Sequence, residues 1–141
     1  MAELQPTSPF VVVVLASIEA CDRVSEEAGA TAMRVAPREL MLVGDVEAAA
    51  VRRALAEPDA IVEDVSDGWA AFELLGDDAR EAFARVCELE LPAEGWVQGE
   101  VARAAAKVLV EPGRITILVP AMLGTHVEER IRADAAEVLT P

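Results

Sequence analysis

The hydrophobic period of this chain changes several times, and each change marks a predicted element. Residues 10–16 are a continuous apolar run, as in a strand covered on both faces, and Ser17 then stands where it would cap a short helix. That helix carries Ile18, Cys21 and Ala28 on one side and ends at Gly29. Residues 31–35 and 40–43 read as two strands joined by a turn at 36–39. A helix opened by Gly44 and Asp45 follows, with Ala48, Val51 and Leu55 on its apolar face and Pro58 as its stop. Residues 61–65 alternate through Ile61, Glu63 and Val65. Ser66, Asp67 and Gly68 then carry an Asp-Gly turn signal and residues 69–75 return as an aromatic and apolar strand, so this pair is expected to be a hairpin. Gly76 closes the strand, Asp77 is placed to cap a helix, and Ala79, Ala82, Phe83, Val86 and Cys87 recur on one of its faces.

Further on, residues 92–99 hold Trp96 among a proline and two glycines and read as a loop. The alanines of residues 101–110 suit a helix, yet Ala102, Ala104, Ala106, Val108 and Val110 alternate strictly with their neighbours. The turn signal of Glu111, Pro112, Gly113 and Arg114 decides for a strand, because Pro fixes φ and Gly accepts the positive φ of a type II turn, with residues 115–119 running back. Thr125 to Glu128 has capping-box spacing, and Val127, Ile131, Ala135 and Val138 line the last helix. Residues 1–9 are polar with two prolines and read as a flexible tail, leaving 10–141 as a single α+β domain. One device, hairpin then helix, occurs three times. Its first and third copies align so that Arg38 meets Arg114, Val43 meets Val119, Val51 meets Val127 and Leu55 meets Ile131. The order predicts an antiparallel or mixed sheet of about six strands, covered on one face by three principal helices.

Composition narrows this further. A chain of 141 residues fits one domain that buries roughly 68–70% of its unfolded surface, so neither metal nor disulfide is required for stability. Apolar residues make up 53% but aromatics only 4%, so the core is aliphatic, with Trp69, Phe72 and Phe83 expected together as its large members. A net charge of −14 repels phosphate backbones and anionic lipid, and neither nucleic acid nor a membrane is expected as a partner. Lys107 is the one lysine. The scattered acids fit either a solvated, solubilising surface or a face for a basic partner. Cys21 and Cys87 have no CxxC spacing and are expected to be reduced thiols in a cytoplasmic protein. The apolar run at 10–16 is too short to span a bilayer.

Candidate chemistry is sparse. His126, the one histidine, lies in a first helical turn with no nucleophile at motif spacing, and is expected to be solvated. Asp64 and Asp67 flank a turn, where acids ordinarily hydrogen-bond the backbone rather than work as a catalytic pair. Neither a Walker loop nor a strand-linked GxGxxG is present. No residue is therefore assigned a catalytic, cofactor-binding or metal-binding role. Trp96 is the more informative side chain: it is either packed back on the core or offered to a partner, and Gln98 and Arg103 would complete such a contact patch.

Three stretches, RVAPRELMLVG, DVSDGWAAFELLGDDAREAFARVCELEL and VARAAAKVLVEPGRITILVPA, together resemble the gamma subunit of heterotetrameric sarcosine oxidase, over roughly residues 31–131. That subunit is related to the folate-binding domain of the glycine cleavage T-protein. The shared motifs stand here as Asp64, Val65 and Ser66, and as Gly76, Asp77, Asp78, Ala79 and Arg80. The resemblance implies a non-catalytic accessory subunit in one-carbon metabolism, assembled with larger subunits that hold flavin, NAD and tetrahydrofolate. It also implies a T-protein-like α+β fold. Folate-binding relatives carry a second half and an acidic pair after the turn equivalent to Pro112 and Gly113. Arg114, Ile115, Thr116 and Ile117 occupy that place here, so a folate site is not carried over. The N-terminal segment is also shorter than in the gamma subunit. A free-standing small-ligand or folate-binding module, and a regulatory α+β domain dimerising through a sheet edge, are the alternatives.

Overall fold

Ala2 and Leu4 are buried while Glu3, Gln5 and Thr7 are exposed, and this two-residue period makes a strand of the expected flexible tail. It is β1 (Glu3–Thr7). The computed structural model describes residues 1–141, and the further elements are β2 (Val11–Leu15), α1 (Ile18–Glu27), β3 (Thr31–Ala36), β4 (Glu39–Val43), α2 (Ala48–Leu55), β5 (Ile61–Asp64), β6 (Trp69–Leu75), α3 (Ala79–Val86), β7 (Gly95–Val101), β8 (Ala104–Glu111), β9 (Arg114–Pro120) and α4 (Gly124–Asp134). Single 3₁₀ turns cover Ser66–Gly68 and Ala121–Leu123. No helix is long and apolar enough to cross a membrane. In place of the one expected sheet there are two, and the chain divides into two compact units, Pro9–Ser66 and Met1–Ser8 with Asp67–Pro141.

The unit Pro9–Ser66 has a four-stranded antiparallel sheet in the order β3-β4-β2-β5. Val12, Val14, Leu40, Leu42 and Val62 of the sheet pack with Ala20, Cys21 and Val24 of α1 and Leu55 of α2. Ser17 caps α1 as expected, its hydroxyl accepting from the Ala20 N–H at 3.2 Å. Glu57 fixes that cap from outside, accepting from the Ser17 N–H and hydroxyl, both at 3.0 Å. At the far end of β5, Asp64 Oδ1 accepts from Ser66 N–H at 2.9 Å, and Ser66 Oγ accepts from Val11 N–H, also at 2.9 Å. The Asp64–Ser66 motif thus serves as a clasp that ties the end of β5 to the start of β2.

The second unit has a five-stranded antiparallel sheet in the order β1-β6-β9-β8-β7. Phe72, Leu74, Val108, Val110, Ile115, Ile117 and Val119 face Ala82 and Phe83 of α3 and Val127 and Ile131 of α4. Phe72 and Phe83 are core members, but Trp69 is not: three positions from Phe72 on one strand, it projects from the opposite face of the sheet. The expected hairpin of residues 61–75 is absent, since β5 pairs with β2 while β6 pairs with β1 and β9. Asp67 and Gly68 make a 3₁₀ turn instead of closing a ladder. Gly76, at φ 103°, redirects the chain into α3, and its N–H donates to Gly113 O at 3.0 Å. The N-cap of α3 is Asp78 and not Asp77, and it makes no side-chain cap bond. Cys87 leaves the helix in an extended conformation. The capping box at Thr125 does not form either, because α4 continues from the preceding 3₁₀ turn and starts one residue earlier.

Both units follow one strand order. β2-α1-β3-β4-α2-β5 of the first corresponds to β6-α3-β8-β9-α4 of the second, with β1 beside β6 in the place that β5 takes beside β2. The similar stretches at 38–55 and 114–131 are the matching β4-α2 and β9-α4 segments.

Candidate functional site

The residues singled out for partner binding lie on β7, which forms one edge of the five-stranded sheet. Trp96 is on a strand and not in the expected loop. The local cause is the connection to β8: Val101 pairs with Ala104, leaving Ala102 and Arg103 as a two-residue loop at φ 50° and 66°. Positive φ at both positions is the type I′ geometry that matches the twist of a hairpin. In such a loop the closing pair is hydrogen-bonded, and bonded and non-bonded pairs alternate from there. Val101, Gly99, Val97 and Gly95 therefore bond to β8. Glu100, Gln98 and Trp96 turn their N–H and C=O groups outward.

Two observations fit this alternation. Cys87 Sγ donates to Glu100 O from outside the sheet at 3.1 Å, and Lys107 Nζ donates to Gln98 Oε1 at 2.9 Å across the 98–107 pair, where side chains stand closest. Nothing in the chain bonds the outward groups of Trp96 or Gln98.

The edge is flanked by two concavities. Half-buried Trp96 lines a cleft of about 320 Å³ with Glu90, Leu91, Pro92 and Val97. A wider depression of about 470 Å³ is lined by residues that include Trp69, Gln98, Glu100, Ala105, Lys107 and Pro120. This second site was not read from the sequence. Its signal was the isolated Lys107 in an acidic chain, whose strand parity with Leu109 places it away from the helices. Gln98 belongs to this depression, Trp96 to the cleft, and exposed Arg103 to the hairpin tip, so the three candidates share one strand and its turn but not one pocket.

The remaining candidates have local partners. His126 Nε2 lies 3.0 Å from Ala102 O, so the imidazole N–H latches α4 to the β7–β8 turn. Arg80 donates to Pro92 O at 2.6 Å and to Ala93 O at 3.0 Å, holding the approach to β7. Burial pushes the Cys21 thiol up, against the opposing pull of Arg34. The hydroxyl and N–H of Ser66 hold the Asp64 carboxyl below its usual range. No three His, Cys, Asp or Glu side chains are grouped so as to hold a metal ion.

No protein-family model matches the sequence, and a search of curated proteins finds no match. Solved structures do match. A chain of heterotetrameric sarcosine oxidase from Corynebacterium sp. U-96, in complex with pyrrole 2-carboxylate, has a TM-score of 0.79 at 14% identity, over 96% of this chain and 84% of that one. The glycine cleavage system aminomethyltransferase T from Bartonella henselae has a TM-score of 0.71 at 15% identity, over 99% of this chain but 47% of its own. The ligand-free regulatory subunit of aspartate kinase from Thermus thermophilus has a TM-score of 0.53 at 12% identity, over 93% and 95% of the two chains. At these identities the likeness is one of fold: an α+β protein with two antiparallel sheets and four helices, as in the aminomethyltransferase and the sarcosine oxidase chain.

Proposed function

We propose that this chain is a non-catalytic accessory subunit of a flavin-dependent oxidase or dehydrogenase acting on sarcosine or a similar N-methyl amino acid. It assembles with larger subunits that carry the flavin, NAD and tetrahydrofolate. The observation that carries this reading is the match in fold with a sarcosine oxidase chain over 96% of this chain and 84% of that one, a likeness far longer than a shared motif. The contacts within the chain support a binding role: the one imidazole engages a backbone carbonyl, and the motif residues Asp64, Ser66, Gly76 and Arg80 all make structural contacts.

The test is co-expression with the flavin- and folate-binding subunits of such an enzyme. A stoichiometric complex that oxidises sarcosine, beside an isolated chain that does not, supports the proposal. Turnover by the isolated chain, or stoichiometric uptake of flavin or folate by it, would overturn it. The likeness to the aspartate kinase regulatory subunit favours a second reading, a regulatory domain that dimerises or binds a small effector. Saturable binding of a free amino acid by the isolated chain would favour that alternative.

A further inference from the structure

Unpaired edge strands are usually blunted, because a row of free N–H and C=O groups invites another strand. β7 is seven residues long, contains neither Pro nor Lys, and is partnered along its outer side at a single point, the Cys87 thiol on Glu100 O. The outward amides of Trp96, Gln98 and Glu100 and the outward carbonyls of Trp96 and Gln98 remain, in the register that an added strand uses. A backbone ladder supplies affinity in this mode of recognition, and pockets for alternate side chains supply selectivity. Both are present: the Trp96 cleft opens beside the strand, and the Trp69 depression lies on the face opposite the helices.

Charge decides what kind of strand fits. Glu88, Glu90, Glu94 and Glu100 are all exposed on or just before β7. Of the nearby cations, Arg80 is engaged on Pro92 O and Ala93 O and Lys107 on Gln98, while Arg103 stands exposed at the hairpin tip, so the four glutamates still outnumber the free cation. A second copy of this chain, at net charge −14, would bring like charge to that rim. We propose that β7 is a docking edge for an extended, basic segment of a larger partner. The segment adds a strand over Trp96 to Glu100, places an apolar side chain in the Trp96 cleft, and sets its Lys or Arg side chains against the glutamates. The proposal rests on the accessory-subunit reading for the identity of the partner, and names the surface and the chemistry of what binds there.

The test uses the isolated full-length protein and a short peptide alternating Lys and Val, with a Glu-Val peptide and a proline-interrupted Lys-Val peptide as controls. Amide exchange is followed residue by residue by NMR. The amides of Trp96, Gln98 and Glu100 should exchange fast in the free protein and be protected by the Lys-Val peptide alone. Gln98→Pro removes an outward N–H without touching a β7–β8 bond. It should melt like the parent and bind the peptide roughly tenfold more weakly. Trp96→Ala should weaken binding at least as much. Equal protection by the Glu-Val peptide, absence of protection at these three amides, or full binding by Gln98→Pro would each overturn the proposal. Protection that rises with protein concentration in the absence of peptide would assign the edge to self-association and overturn it as well. These outcomes concern the edge alone. Failure to co-purify with a flavoprotein would count against the accessory-subunit reading and leave the edge result standing.

Discussion

Ala102 and Arg103 hold left-handed backbone conformations that L side chains disfavour, and the β7–β8 hairpin exists in spite of them. Replacing the pair with Asn-Gly, as Ala102→Asn together with Arg103→Gly, should therefore stabilise the protein. A non-glycine residue held in this region costs on the order of 1 kcal/mol or more, part of which is offset in the Arg103→Gly change by the larger entropy of unfolded glycine. Ala102→Asn recovers a smaller share, and together the two changes should contribute about 1–1.5 kcal/mol. For a chain of this length the melting temperature should rise by about 3–5 °C. The backbone carbonyl that accepts from His126 is retained, so the latch between α4 and the turn is not a confounding loss. Urea unfolding followed by circular dichroism is the assay, read as a higher midpoint at unchanged slope. Ala102→Val is the opposing control, since a β-branched side chain at positive φ should destabilise by about 1–2 kcal/mol. If the Asn-Gly variant were no more stable than the parent, and Ala102→Val melted normally, the turn geometry and the outward register of Trp96, Gln98 and Glu100 derived from it would both be wrong.

Other consequences are independent of that turn. Phe83 is 1% exposed between α3 and the sheet, so Phe83→Ala should cost about 3–5 kcal/mol, measured by denaturant unfolding. A Cβ on Gly124 would stand 2.9 Å from the Ala70 Cβ, and neither atom can rotate away; Gly124→Ala should cost about 1–3 kcal/mol by the same assay. The Asp64 carboxyl is held below its ordinary value by Ser66, so its contribution is present above the unfolded-state pKa near 3.8 and is lost as pH falls through the lower folded-state value. Asp64→Asn should therefore narrow the gap to the parent in acid unfolding curves below pH about 4.

The elements legible in the sequence were those whose period and punctuation agree. Pro112 and Gly113 announced the β8–β9 turn, Ser17 its helix cap, and the valines of residues 11–14 a buried strand. Residues 101–110 misled because Ala102 and Arg103 carry no turn signal, so a hairpin tip passed for strand interior and β7 for loop. The Asp67-Gly68 signal misled in the opposite sense, being used for a 3₁₀ turn at a change of sheet. Which strands pair is set by contacts far apart in sequence, and neither Leu4 nor Pro6 announces a partner at residues 69–75. The candidate site was legible residue by residue through Trp96 and Gln98. Its character as a free edge depends on strand order, which no local pattern encodes.

That strand order also explains why the first residues matter. In the unit Pro9–Ser66 the chain leaves α2 and supplies its own fourth strand, β5, beside β2. Residues 135–141, which follow α4, form no such strand, and the place beside β6 is filled by β1. The two ends meet there: Ala2 N–H donates to Val138 O at 2.8 Å, and Thr140 N–H donates to Ala2 O at 2.7 Å. Deleting residues 1–8 should therefore expose the β6 edge, remove Ala2 and Leu4 from the core, and leave a protein that aggregates. Moving the same residues to the other terminus should not. A permuted chain that runs from residue 9 to 141 and then, through a short Gly-Ser linker, into residues 1–8 keeps every strand pair and turns the second unit into an uninterrupted β-α-β-β-β-α-β sequence, the β-α-β-β-α-β order of the first unit with β7 added. Its melting temperature should stay within a few degrees of the parent's, since lengthening a surface connection costs little. A permuted chain as unstable as the deletion would mean that β1 acts through its position in the chain and not through the strand pair it completes.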